Sequence, residues 1–182
     1  MHVRRHIPFI VALLANGALA IFLAELNHFA SRFSIQLLLP ACFILYPGLC
    51  LGYSQGLLVS FLAGICLDAS IPPLGEDPDD FFSYFTVALP LFHLVIHRIS
   101  PKLHKEGGLD SLLLAQALNL LLLLHLAFGF SRHFHSPLLS NFLQILLSQT
   151  ALLLIAPIHL ALQIAVTAFL GIDANDEDAR AA

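Results

Sequence analysis

The residues in this 182-residue chain whose chemistry reaches beyond packing are a carboxylate at the end of an apolar stretch, ten histidines and a scatter of amides. Asp68 closes the charge-free stretch 33–67. At a helix C-terminus a carboxylate opposes the helix macrodipole at a cost of about 0.3–1 kcal/mol, so it needs a partner. Two are on offer: the amides of the Ala69-Ser70-Ile71-Pro72-Pro73 turn, stiffened by its prolines, or Arg132, His133 and His135 of another loop. The reading favours a structural latch over a substrate or ion ligand, against the default that an ionisable residue at membrane depth is functional.

His93 and His97 stand at i, i+4, the spacing that puts two imidazoles on one helix face as a metal pair requires. No carboxylate or cysteine lies at matching depth to complete a shell, so interfacial histidines are the preferred reading and no metal or other cofactor is expected. His125, His133, His135 and His159 do not join them, because topology places His133 and His135 on the opposite side from His93 and His97. Enzyme templates fare no better. An intramembrane aspartyl protease needs two carboxylates at similar depth, and Asp68 stands alone. A G-x-S-x-G-like element, a Walker A sequence, a dinucleotide fingerprint and a basic, aromatic nucleic-acid surface are all missing from the sequence. The chain is expected not to be an enzyme and not to bind nucleic acid.

The elements that carry these residues follow from composition. Hydrophobic residues make up 58% and charged ones 11% of the chain, against roughly 45–50% and about 25% in soluble domains, and the excess has to face lipid. About 20 apolar residues cross a hydrocarbon layer about 30 Å thick. Charge-free stretches at 6–24, 33–67, 81–97, 111–131 and 133–172 are the candidates. Pro47-Gly48, followed by Gly52, splits the second. Pro157 kinks rather than ends the last. The expectation is a single all-α integral membrane domain, residues 1–182, of about six transmembrane helices near 7–25, 34–47, 52–68, 81–99, 111–130 and 140–170, with a short acidic tail over 173–182.

Lys and Arg set the orientation. With the N-terminus inside, Arg4, Arg5, Arg98, Lys102, Lys105 and Arg180 are cytoplasmic and only Arg32 and Arg132 fall outside, so both termini are expected in the cytoplasm. The acidic run Glu76 to Asp80 then lies in an external loop. Met1 to Ala20 also has the features of a signal peptide, but the apolar run continues to Ala24, which favours an uncleaved first helix. Cys42, Cys50 and Cys66 lack C-x-x-C spacing and read as small buried hydrophobes. Asn16, Gln116, Asn119, the Ser148-Gln149-Thr150 run and the stripe His159, Gln163, Thr167 read as interhelical hydrogen-bonding groups or, for the last, a helix end in the interface.

The most informative segment is 52–75. Gly52, Gly56, Ser60 and Gly64 recur every four residues and draw a ribbon of small side chains that ends on Asp68. Lipid gives helices no hydrophobic reason to associate, so close approach over small residues is how they pack. The ribbon is expected to meet another helix, within this bundle or in a partner. Glycines leading into Gly64-Ile65-Cys66-Leu67-Asp68, a short Pro-rich loop and then Leu74-Gly75 resemble MreD, the membrane-embedded rod shape-determining family of bacteria. Size and the expected six spans extend the likeness over the chain.

That resemblance implies a non-enzymatic subunit of the peptidoglycan elongation machinery in the bacterial cytoplasmic membrane. It would bind MreC first and work beside MreB, RodA and a penicillin-binding transpeptidase, with Gly52, Gly56, Ser60, Gly64, Asp68 and Gly75 as structural or partner-binding residues. The MreD fold is similar to the substrate-binding S-components of energy-coupling-factor vitamin transporters, the alternative reading, and the Ala20-x-x-x-Ala24 spacing matches their docking helix.

Overall fold

The computed structural model describes residues 2–33, 35–70, 84–100, 108–134 and 138–171, with side chains described outside 2–5 and 128–141. Gly75, the 72–73 prolines, the acidic run 76–80, the tail 173–182 and the side chains of Arg132, His133 and His135 lie outside these. The described residues are helical apart from short connections: α1 (His2–Ala30), a 3-10 turn (Ser31–Phe33), α2 (Pro40–Cys50), α3 (Tyr53–Ser70), α4 (Tyr84–Ile99), α5 (Leu109–Phe134) and α6 (Leu138–Phe169). Among the described residues three helical stretches, His6–Phe33, Leu109–Ala127 and Phe142–Phe169, are long and apolar enough to cross a membrane, which marks the chain as a membrane protein. Large apolar side chains such as Leu14, Leu113, Leu154 and Ile158 stand exposed along them, as a lipid-facing surface requires.

The core is organised around α2. All eleven of its residues are buried, and it touches each of the other five helices. At about 1.5 Å per residue it is roughly 16 Å long, about half a bilayer. The expected second helix at 34–47 therefore starts too early. Residues 35–39 are non-helical, Pro40 opens α2 and the helix runs through Pro47-Gly48 to Cys50, so the break falls at Leu51-Gly52 instead.

Both differences have physical causes. Non-helical backbone at membrane depth survives only where protein supplies its hydrogen bonds. Here Asn27 of α1 accepts from the Leu37 amide at 2.7 Å and donates to the Leu37 carbonyl at 2.9 Å. The Leu38 amide donates to Ser148 Oγ of α6, and the Ala41 amide to Asn119 Oδ1 of α5 at 3.4 Å. Pro47 lacks the N–H that would bond the carbonyl four residues back, that of Phe43. Asn16 Nδ2 of α1 donates to that same carbonyl at 2.9 Å and lets the helix continue.

Asn16 also begins a buried chain of polar contacts. Its Oδ1 lies 3.1 Å from His159 Nε2, which is 2.6 Å from the Gln163 side chain. Thr167 donates to the Gln163 carbonyl and shares a 2.9 Å hydrogen bond with Tyr46 OH. The stripe on the second half of α6 therefore faces α1 and α2, with His159, Gln163 and Thr167 all buried, and α6 is one helix with Pro157 inside it.

Candidate functional site

The small-residue ribbon and Asp68 come together with α4 in one antiparallel seam, the most extensive helix pair in the bundle. Gly52 is buried just before α3, and its carbonyl accepts the Gly56 amide at 2.9 Å. From there the ribbon meets α4 step by step. Tyr53 sets its ring edge-on to His97, with centroids 5.8 Å apart. Gly56 lies beneath the imidazole of His93: a Cβ there would sit 2.9 Å from His93 Nε2 and 2.8 Å from the Pro47 carbonyl oxygen. Ser60 is fully buried one turn on. Gly64 abuts the α4 backbone itself, where a Cβ would lie 2.6 Å from Thr86 Cα and 2.7 Å from the Phe85 carbonyl carbon. No side chain fits between two backbones at that distance.

Asp68 ends the seam. Its Oδ1 accepts the Phe85 amide at 2.8 Å, while Oδ2 accepts the Thr86 amide at 2.7 Å and the Thr86 hydroxyl at 2.6 Å. Phe85 and Thr86 sit in the first turn of α4, whose amides have no partner within their own helix. A buried carboxylate thus closes the N-terminus of the next helix, where its charge meets the positive end of the α4 macrodipole. The unfavourable dipole of α3 is offset by the favourable one of α4.

These are not the partners expected for Asp68, of which Ile71, Arg132, His133 and His135 lie outside the described residues or side chains. The amides of Ala69 and Ser70 belong to α3, which runs on to Ser70, and Ser70 Oγ donates back to the Cys66 carbonyl at 2.7 Å. The partners Phe85 and Thr86 stand 17 and 18 residues further along the chain. The one signal for them in the sequence is a threonine near the start of an apolar helix. A second correction concerns Cys66, which is exposed on α3 whereas Cys42 and Cys50 are buried as expected.

At the other end of the seam His93 and His97 stack, with centroids 5.7 Å apart and planes 25° from parallel. His93 is fully buried against Gly56, and its ring nitrogens meet no well-formed hydrogen-bond partner among the described residues. Among the described residues no three His, Cys, Asp or Glu side chains converge as a metal site would need. His125 instead stacks on Tyr84, with centroids 5.4 Å apart and planes 7° from parallel. The geometry of the seam fixes one helix against another, with Gly56 and Gly64 in close approach to α4 and Asp68 hydrogen-bonded to its first turn.

No family model, no curated protein and no solved structure matches this chain.

Proposed function

We propose that the chain is a non-enzymatic scaffold subunit of the bacterial cell-shape complex, a protein like MreD that binds MreC and helps organise peptidoglycan synthesis with MreB, RodA and a penicillin-binding transpeptidase. In this reading all six helices lie in the cytoplasmic membrane, with both termini in the cytoplasm and an arrangement similar to the S-component fold. The observation that carries it is the Gly64-x-x-x-Asp68 element, the motif of the resemblance. Both residues are spent on the backbone of α4, Gly64 by contact and Asp68 by hydrogen bonds. A residue pair so used sets the shape of a helix pair rather than turning over a substrate, which fits a subunit that positions others.

The alternative, an S-component of a vitamin transporter, draws on one observation. Ala24 is exposed and Ala20 half-buried on α1, so the Ala-x-x-x-Ala spacing is open to a docking helix. Affinity purification of the tagged protein from solubilised native membranes, read by mass spectrometry, separates the two. Recovery of MreC, RodA or the transpeptidase supports the scaffold. Paired ATPases with a transmembrane coupling subunit, and none of the shape proteins, would overturn it.

A further inference from the structure

A cavity of about 720 Å³ opens at the Asp68 end of the bundle, beside the last turn of α3. Its walls are the C-terminal half of α1, the non-helical segment before α2, the last turn of α3 and Gln144 of α6. The volume lies within the roughly 300–1,000 Å³ usual for small-molecule sites.

The lining is graded. Along α1 the residues facing it are Ala20, Leu23 and Ala24, then Asn27, His28 and Ser31, and on α3 Leu67 gives way to Ser70. Both helices turn from apolar to polar in the same direction. Leu23, Leu38 and Leu67 are buried and make the floor, whereas His28, Ser31 and Ser70 are exposed at the rim. From Ala20 to Ser31 the helical rise gives a depth of about 16 Å.

The described rim residues carry hydrogen-bonding capacity and, His28 apart, no ionisable side chain. Gln36 and Gln144 contribute amides, and among the described lining residues there is no Asp, Glu, Lys or Arg. Ser31 and Ser70 donate to the carbonyls of His28 and Cys66, which leaves each hydroxyl oxygen able to accept. A cationic headgroup would lose its hydration here with no carboxylate among the described lining residues to meet it, and an anionic one would find only the His28 imidazole. A purely apolar molecule would leave the rim amides unpaired.

We propose that this cavity binds a neutral amphiphile, with an apolar tail along Ala20, Leu23, Ala24 and Leu67 and a hydroxyl- or amide-bearing head held by Gln36, Gln144 and the rim serines. The site is independent of the scaffold reading, since it shares only the end of α3 with the glycine seam.

The test uses the full chain in phosphatidylcholine nanodiscs with a monoacylglycerol carrying a photoreactive group on its acyl chain, and the crosslinked peptides are mapped by mass spectrometry. Labelling is expected to concentrate on residues 20–24 and on Leu67. Excess unlabelled monoacylglycerol should reduce it several-fold, and excess phosphatidylserine should not. Ala24→Phe, at an exposed position that asks nothing of the core, should fill the cavity and lower labelling several-fold. Gln144→Leu, which leaves the floor intact, should weaken competition by the monoacylglycerol. Labelling spread over the lipid-facing Leu153, Leu154 and Ile158 and indifferent to Ala24→Phe would overturn the proposal. So would equal competition by phosphatidylserine, which would mean that the site is an unselective lipid contact.

Discussion

The two sides of α2 hold together by opposite means. Towards α3 and α4 the helices close over missing side chains, at Gly56 and Gly64 and also at Gly48, whose Cβ would lie 2.8 Å from Ile96 Cβ. Towards α1, α5 and α6 they are joined by side-chain amides and hydroxyls that reach backbone groups lacking a helical partner, at Leu37, Leu38, Ala41 and Phe43. The glycine side gains dispersion contact through fit and tolerates no added atom. The polar side gains hydrogen bonds and leaves room, including the cavity beside α1. Steric changes should therefore be severe on the first side, and polar truncations should matter on the second.

The largest effect is expected at Gly64→Leu, whose side chain meets the Phe85–Thr86 backbone and cannot be relieved by a rotamer change. Overpacking of this kind costs about 3 kcal/mol or more, and should show as loss of folded protein in detergent melting curves. A normal melting curve would mean that α3 and α4 are further apart than the seam requires.

Next comes Asp68→Ala, which leaves the Phe85 and Thr86 amides without partners at a cost of about 2 kcal/mol. Denaturant titration of the purified protein measures it, and Asp68→Asn should recover only part, because its amide nitrogen cannot accept a second N–H.

On the polar side, Asn16→Leu orphans the Phe43 carbonyl and breaks the contact with His159, for about 1–2 kcal/mol. The sharper version is a double-mutant cycle. Pro47→Ala restores the N–H that the Phe43 carbonyl lacks, so the double variant should be more stable than the two single changes sum to. Strict additivity would show that Asn16 does not stand in for the missing amide.

The smallest changes are Ser60→Ala and Gly17→Ala. Ser60 Oγ is buried in the seam without a hydrogen-bond partner among the described residues, so its removal should be neutral or slightly stabilising. A Cβ on Gly17 meets nothing within 4 Å, and alanine there should raise the melting temperature through helix propensity worth about 0.5–1 kcal/mol. A drop at Ser60 would show that its hydroxyl is hydrogen-bonded after all, and a drop at Gly17 would place a partner molecule on that face of α1.

What the sequence made legible, and what it did not, follows the same division. Four-residue spacing is a local pattern, so Gly56, Ser60 and Gly64 could be read as a packing face without knowing what they pack on. That Asp68 needed a partner was equally local, since it follows from the dipole of its own helix. The partner itself was not, because the first-turn amides of α4 become donors only once the helix has formed and been brought alongside. Pro47-Gly48 misled for a related reason. A proline reads as a break when its own segment is considered alone, and it ceases to be one when Asn16, 27 residues before Phe43, supplies the lost hydrogen bond. The polar residues of α6 announced themselves as interhelical groups, but their spacing carried no information on which helices they would join.

The burial of α2 also bears on how the chain is made. The hydrogen bond between Leu38 and Ser148 joins residues 110 positions apart, and Asn119 too belongs to a later helix. At ribosomal rates of about 5–20 residues per second, that interval is roughly 5–20 s. For that time a helix half the thickness of the bilayer waits with its leading backbone groups unanswered. The nascent chain must shelter it in the insertion machinery or at the lipid headgroups until the last two helices arrive.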